Sequence, residues 1–259
     1  MEIICLGSNS RGNGYVLRNN QESLILECGC PLKSALKAIS YQIQNCVGCL
    51  VTHEHSDHAK FIQEYSKIFD IYTSKGTAVE IYNNTSEMFA NQIIAISPFK
   101  EFKLGGFNIR PFTVEHDAAE PFGYIIEHSD FGRLAFITDT SYCRWKLKNV
   151  NIWLIEANYD EINPEHPEFV KRRIERNHMQ INTTIETIKL NGTEDIKQII
   201  LIHLNQNQDK DGFKSRVQNQ IGKQTFIADR DFRLNLGNPI AEPIETEKTH
   251  WVSEKTKIA

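Results

Sequence analysis

Six consecutive residues, His53-Glu54-His55-Ser56-Asp57-His58, bring together His53, His55, Asp57 and His58, side chains that can ligate a metal. Three imidazoles and a carboxylate at this density suit Zn²⁺, Mn²⁺ or iron. On extended chain, positions two apart point the same way, so His53 and His55 can share one ion. Asp57 and His58 fall in the turn into the next element and face a neighbouring position. A lone histidine would read as a polar residue satisfying local hydrogen bonds. Four donors in six residues do not.

These side chains need a strand before them and a helix after them. Gly48–Thr52 is an apolar run of strand character. After it, Ser56 can cap a helix in which His58, Phe61, Ile62, Tyr65, Ile68 and Phe69 share one face. Upstream, Glu2–Leu6 reads as a strand and Gly7–Gly14 as a loop too rich in glycine for either element. Tyr15–Arg18 and Ser23–Glu27 read as a hairpin, and Pro31 opens a helix. Downstream, Gln92–Ile96, Phe107–Val114, Gly123–Glu127, Arg133–Ile137 and Asn151–Glu156 have β-branched and aromatic strand composition. Helical spacing returns at Pro167–Arg176 and Ile181–Leu190, and Lys197–His203 and Lys223–Ala228 read as late strands. The polar stretch 229–259 reads as an irregular tail or docking arm behind a domain of residues 1–228. Layer logic makes this an α+β protein, two αβ halves with sheets inside and helices outside.

Composition bounds the function. The chain has 259 residues, 40% hydrophobic and 24% charged, and 29 basic against 33 acidic side chains leave a net charge of −4. That excludes a strongly basic nucleic-acid coat but not a local basic patch. No apolar run approaches the roughly 20 residues of a membrane helix, and Met1–Cys5 lacks the basic-then-apolar order of a secretory signal. The expectation is a cytoplasmic protein whose six cysteines are reduced. Cys28/Cys30 and Cys46/Cys49 could together bind a structural zinc, but Cys49 lies inside a strand, and burial as small hydrophobes is the favoured reading.

The His-x-His-x-Asp-His signature resembles that of the metallo-β-lactamase superfamily, whose fold is a four-layer αβ/βα sandwich. The resemblance implies further ligands in order on strand ends, and His116, Asp139 and His203 stand there. It implies that His53, His55 and His116 hold one of two divalent ions (zinc or manganese, with iron possible). Asp57, His58 and His203 would hold the second, and Asp139 would bridge. Two such ions clamp a phosphoryl or carbonyl oxygen while presenting a bridging hydroxide, which Asp57 would help to orient. The redox branch carries His-x-Glu where His55 stands, which argues for hydrolysis here.

Finer motifs resemble the YycJ/WalJ-type branch, which includes metal-dependent 5′→3′ DNA exonucleases. They are Leu6-Gly7-Ser8-Asn9-Ser10-Arg11-Gly12-Asn13-Gly14, His116-Asp117-Ala118, Pro121-Phe122-Gly123-Tyr124, Glu156-Ala157-Asn158-Tyr159-Asp160 and Asn177-His178-Met179-Gln180. The chain departs from that branch at Glu27-Cys28-Gly29, where Asp-Ala-Gly is usual, and at Tyr159, Asn177 and Gln180. The resemblance implies a catalytic, substrate-side role for His178 and puts Ser8 and Asn13 at the rim of the site. Arg173 shares a helical face with Phe169, Val170 and Ile174. It should therefore point inward, toward a carboxylate or a substrate phosphate. A phosphodiesterase acting on DNA is the favoured reading. A hydrolase of a lactone, thioester or cyclic nucleotide is the alternative, and a metal-holding binding module is a weaker third. The first calls for an open groove with basic residues near the metals, the second for a closed apolar pocket.

Overall fold

A computed structural model describes residues 1–84 and 93–237. The first sheet contains β1 (Glu2–Asn9), β2 (Gly12–Arg18), β3 (Ser23–Leu26), β4 (Cys46–Leu50), β5 (Ile71–Ser74) and β6 (Ile93–Ile96). The second contains β7 (Phe102–Leu104), β8 (Phe107–Thr113), β9 (Phe122–His128), β10 (Gly132–Ile137), β11 (Ile152–Glu156), β12 (Gln198–Ile202) and β13 (Thr225–Ile227). A last strand, β14 (Arg233–Asn235), returns to the first sheet, whose order is β14-β1-β2-β3-β4-β5-β6; the second runs β13-β12-β11-β10-β9-β8-β7. Both sheets are mixed. β3 to β6 and β10 to β13 run parallel, and the remaining pairs are antiparallel.

Strand alternation divides the apolar residues among three cores. Ile3, Leu17 and Leu24 face Phe107, Tyr124, Phe136, Ile152 and Leu154 between the sheets. Their neighbours Ile4, Val16 and Ile25 turn outward under α1 (Leu32–Ala38) and α4 (Lys75–Asn84). On the second sheet Trp153 and Ile155 turn outward under α6 (Ile181–Leu190) and α7 (Lys210–Ile221). Helix, sheet, sheet, helix is the expected four-layer sandwich. The parallel strands β11 and β12 are wholly buried, which is why they read as unbroken apolar runs. Among the described residues no helix is long and apolar enough to cross a membrane.

Three local expectations are corrected. Gly7–Gly14 is not a loop. β1 and β2 run through it, with Gly7 opposite Gly14, Ser8 opposite Asn13 and an irregularity between Cys5 and Gly7. The glycine at position 7 serves close packing, since a Cβ there would lie 2.5 Å from the Gly12 carbonyl oxygen and 2.8 Å from Cys30 Sγ. The helix expected from Ser56 is two short turns, α2 (Ser56–Ala59) and α3 (Ile62–Tyr65), and His55 occupies the cap position. The ladder breaks because the Phe61 amide donates to the Cys28 carbonyl (3.0 Å) outside the helix. Finally, β14 lies beyond residue 228 and pairs with β1 through Ile3↔Leu234, so ordered sheet extends into the stretch expected as tail. Gln92 and residues 238–259 lie outside the described residues.

Candidate metal centre

The strands deliver their last residues to one edge of the sandwich. His53 follows β4, His116 follows β8, Asp139 follows β10, Glu156 ends β11 and His203 follows β12. The two sheets are tied at this edge. Phe122 N donates to the Thr52 carbonyl (3.0 Å) and Tyr124 OH to the Val51 carbonyl (2.7 Å). Three residues here hold left-handed backbone, Glu27 (φ 69°), Asp139 (φ 47°) and His203 (φ 53°). Such conformations cost about 1–3 kcal/mol each and cluster where a site demands a special side-chain direction.

All seven expected ligands converge in two adjoining groups, within each of which the donor atoms lie no more than 4.8 Å apart. One is His53, His55 and His116; the other is Asp57, His58, Asp139 and His203. Asp139 stands between them, with Oδ2 3.8 Å from His116 Nε2 and Oδ1 3.3 Å from His58 Nε2. His203 closes the second group, with Nε2 3.4 Å from Asp57 Oδ2.

The residues fit a cation. His53 is buried, its Nδ1 is hydrogen-bonded to Thr52 Oγ1 (2.9 Å), and its Nε2 has no partner in the protein. Burial, reinforced by His58, holds its pKa well below the ordinary value and keeps the ring neutral, and the tautomer in which Nδ1 donates to Thr52 leaves Nε2 a free lone pair. His116 Nδ1 donates to the Asn177 carbonyl (3.2 Å), which turns the lone pair of Nε2 toward His55 Nδ1, 3.0 Å away. The two nitrogens stand close enough to share one proton or one cation. In the second group, burial opposes ionisation of Asp139, but His203 and His58 outweigh it and keep the carboxyl well below its usual range. Hydrogen bonds from His203 and His58 do the same for Asp57 against its burial. Burial likewise opposes protonation of His203, yet Asp139 and the hydrogen bond to Asp57 lift it to about 10. A metal would release such a proton, because the ligand is the neutral imidazole.

The expected rim residues lie elsewhere. Ser8 is buried; its Oγ pairs with Tyr15 OH (2.8 Å) and accepts from His203 N (2.9 Å), so it fixes the ligand's backbone. Asn13 is fully buried beneath α2, and its Nδ2 donates to Asp57 Oδ2 (3.1 Å) and lies 3.0 Å from His58 Nε2. The resemblance puts both at the rim facing substrate; as buried strand residues they instead contact His203, Asp57 and His58 from within the protein. Arg173 does not point inward. It lies on α5 (Glu168–Asn177), a helix whose Phe169 is 74% exposed, and it is itself 72% exposed, with Nε 3.7 Å from Asp117 Oδ2. α5 rests on the surface, so its apolar stripe has little to bury against. His178 caps that helix at the mouth of the site, stacked on His203 with ring centroids 5.3 Å apart.

Two acidic residues outside the expected set also reach the centre, Glu156 and Glu27. Glu156 is fully buried, and its Oε1 receives His178 Nδ1 at 2.7 Å and His203 Nδ1 at 3.1 Å, while Oε2 accepts from Thr140 N. The signal for it was a carboxylate ending the apolar run Ile152–Ile155. Glu27, longer than the family's aspartate, still reaches the site. Its Oε2 accepts from Thr52 N (3.2 Å) and its Oε1 lies 3.5 Å from His58 Nδ1. All six cysteines are free, and Cys28 and Cys49 bring their sulfurs to 3.4 Å within the core outside the first sheet.

Gly29 lets this layer close. A Cβ there would lie 1.7 Å from the Asp57 carbonyl oxygen and 2.7 Å from Asn13 N, both backbone atoms that cannot swing away. Gly29→Ala should therefore destabilise the protein by about 1–3 kcal/mol or more, as overpacking does, and lower its metal content. Thermal unfolding with elemental analysis checks this; a variant with unchanged Tm and metal content would contradict it.

Comparison with known proteins places these features in a family. Residues 32–204 match the model of the β-lactamase superfamily domain. The chain is 28% identical over 251 residues to exodeoxyribonuclease YycJ of Bacillus anthracis, covering 90% of this chain and 94% of that one. Among solved structures it is similar to the metallo-β-lactamase fold protein YhfI from Bacillus subtilis (TM-score 0.69, 16% identity, 90% of this chain and 98% of that one). It is also similar to Zn²⁺-bound PqqB from Methylobacterium extorquens (TM-score 0.65, 16% identity, 91% and 100%).

Proposed function

The chain belongs to the metallo-β-lactamase superfamily, and from that premise we propose that it is a two-metal phosphodiesterase that degrades DNA, in the manner of a 5′→3′ exonuclease. The observation that carries this reading is Asp139, whose two carboxylate oxygens face different ligand groups. The choice of DNA rests on the relation to YycJ over nearly the whole chain.

His53, His55 and His116 would hold one ion and Asp57, His58 and His203 the other, with Asp139 shared. Divalent ions here would supply an activated water and positive charge against the phosphoryl oxygens. The protein does the rest. Thr52, Asn177 and Glu27 orient His53, His116 and His58 from behind, the kind of outer contact that tunes metal ligands. Asn13 fixes Asp57, the carboxylate placed to orient the attacking water. His178, 23% exposed, is held through Nδ1 by Glu156, which leaves Nε2 to give a proton to the leaving oxygen.

End-labelled DNA and RNA, offered with Mn²⁺ or Zn²⁺ beside a panel of lactones, thioesters and cyclic nucleotides, test the reading. Stepwise shortening of DNA from its 5′ end is expected. Turnover confined to the small molecules would replace the nuclease reading with the small-molecule one. Chelation gives a second measurement. At a metal concentration about 1,000 times Kd, binding stabilises the fold by roughly 4 kcal/mol. Removing the ions should thus lower Tm by on the order of 10 °C, and added Zn²⁺ or Mn²⁺ should restore it. An unchanged Tm after verified loss of metal would count against tight ligation by these residues.

A further inference from the structure

Immediately after Asp139 and Thr140 the chain runs Ser141-Tyr142-Cys143-Arg144-Trp145-Lys146-Leu147-Lys148. Exposure alternates along it. Tyr142 is 45% exposed, and Arg144, Lys146 and Lys148 are exposed, while Cys143 and Trp145 are half-buried and Leu147 is buried. One aromatic and three cations therefore form a row that begins three residues from the carboxylate shared by the two ligand groups.

The row is pinned. Thr140 Oγ1 donates to the Tyr142 carbonyl (2.8 Å), Trp145 Nε1 to the Thr113 carbonyl (2.7 Å) and Arg133 Nη1 to the Lys148 carbonyl (2.5 Å); Leu147 N is held by Asn191 Oδ1. Arg144 is paired with Glu115 and lies 3.4 Å from Tyr142 OH. Lys146 and Lys148 have no carboxylate partner among the described residues.

Beside the row lies a cleft of about 330 Å³ lined by Phe99, Trp145, Arg110, Arg133, Lys146 and Lys148, among others. Arg110 and Arg133 are partly neutralised by Glu101 and Glu127. Phe99 is 49% exposed, and its ring meets Trp145 edge to face at 4.7 Å. It holds a left-handed backbone (φ 63°), unusual for a bulky residue. Aromatic faces beside two unneutralised lysines, Lys146 and Lys148, and three arginines already shared with carboxylates suit an unpaired nucleic-acid strand: bases stack, phosphates pair. The protein as a whole is negative, at −4, so this positive strip is a local feature rather than part of a general field.

We propose that Tyr142, Arg144, Lys146 and Lys148, with Phe99 and Trp145 beside them, form a track for single-stranded DNA running to or from the metal centre. The nuclease reading supplies the purpose of the track, but the track is tested by binding alone. A fluorescein-labelled dT20 with phosphorothioate linkages, which resist cleavage, is titrated into the metal-loaded protein at several salt concentrations and followed by anisotropy. The wild type should bind with marked salt dependence. The K146E/K148E double variant should bind at least about tenfold more weakly. Its log Kd–log salt slope should be shallower by about 1.4, the loss of two phosphate contacts on a single strand. Phe99→Ala should weaken binding by about tenfold through lost stacking with the slope unchanged. Wild-type Tm and metal content serve as folding controls, and either variant alone is decisive if the other misfolds. Wild-type affinity in folded variants, no binding of dT20 by the wild type, or equal binding of a duplex would overturn the track. Binding without cleavage of ordinary dT20 would instead remove the nuclease reading and leave the track standing.

Discussion

Asp139→Asn is expected to lower hydrolysis by about a thousandfold or more and to reduce bound metal from two ions toward one. Of the seven expected ligands only Asp57 and Asp139 are carboxylates, so the change removes one of the two negative charges within that set. A bound ion contributes several kcal/mol of transition-state stabilisation, and about 4 kcal/mol is a factor of a thousand. The substitution is a sharp one because it spares the backbone. Asp139 has φ 47°, and asparagine is among the few residues that tolerate this conformation. Shape is retained as well, and the amide oxygen can still accept from Thr138 Oγ1, which donates to Oδ1 at 2.6 Å. Elemental analysis beside the DNA-shortening assay decides the matter. A variant that keeps two ions and wild-type turnover would sink the assignment of Asp139 as the shared ligand.

The second large effect is expected at His178, whose replacement by alanine should reduce kcat by about 10²–10⁴-fold, the usual contribution of a positioned acid, while leaving metal content intact. His178 packs its ring against His203 and His116, but its hydrogen bond goes to Glu156. Glu156→Gln should behave differently. Its Oε1 serves both His178 and His203, so kcat should fall and metal affinity should also weaken by about 10–100-fold, as when an outer ligand contact is lost. Because the two residues act as one unit, the double variant should lose less than the product of the single effects. Competition with a chromogenic chelator, run beside single-turnover kinetics, separates the two. Loss of metal from His178→Ala, or full kcat with metal retained, would each refute the role given to this histidine.

Much of this protein is legible along the chain because strands announce themselves locally. The alternation of Ile3 and Ile4, or of Ile152 and Trp153, records which core each residue enters. The run from His53 to His58 is legible for the same reason: donors two apart on one strand end must point together. His116, Asp139 and His203 could be named only through family resemblance, since nothing local distinguishes a polar residue at a strand end that ligates from one that does not.

The failures share a different cause. Glycine-rich chain reads as loop, whereas Gly7 is glycine so that Cys30 and Gly12 can approach, and the strand it lies in buries the Ser8 and Asn13 that the resemblance puts at the rim. Arg173 was assigned an inward direction from helical spacing, yet spacing says only which residues share a face, not whether anything covers it. Pairing of β14 with β1 joins residues more than 200 positions apart, and no local pattern encodes that contact. Glu156 gains its importance only when β11 and β12 lie side by side and bring His203 within 3.1 Å. What the chain determined by itself was the kinds of chemistry available, the periodicity of each element and the clustering of donors in the first ligand motif. What only the tertiary structure decided was which buried side chains stand behind the ligands and which cations remain unpaired on the surface. Both depend on what packs against a residue from elsewhere in the chain, and burial and charge pairing are properties of that packing rather than of sequence spacing.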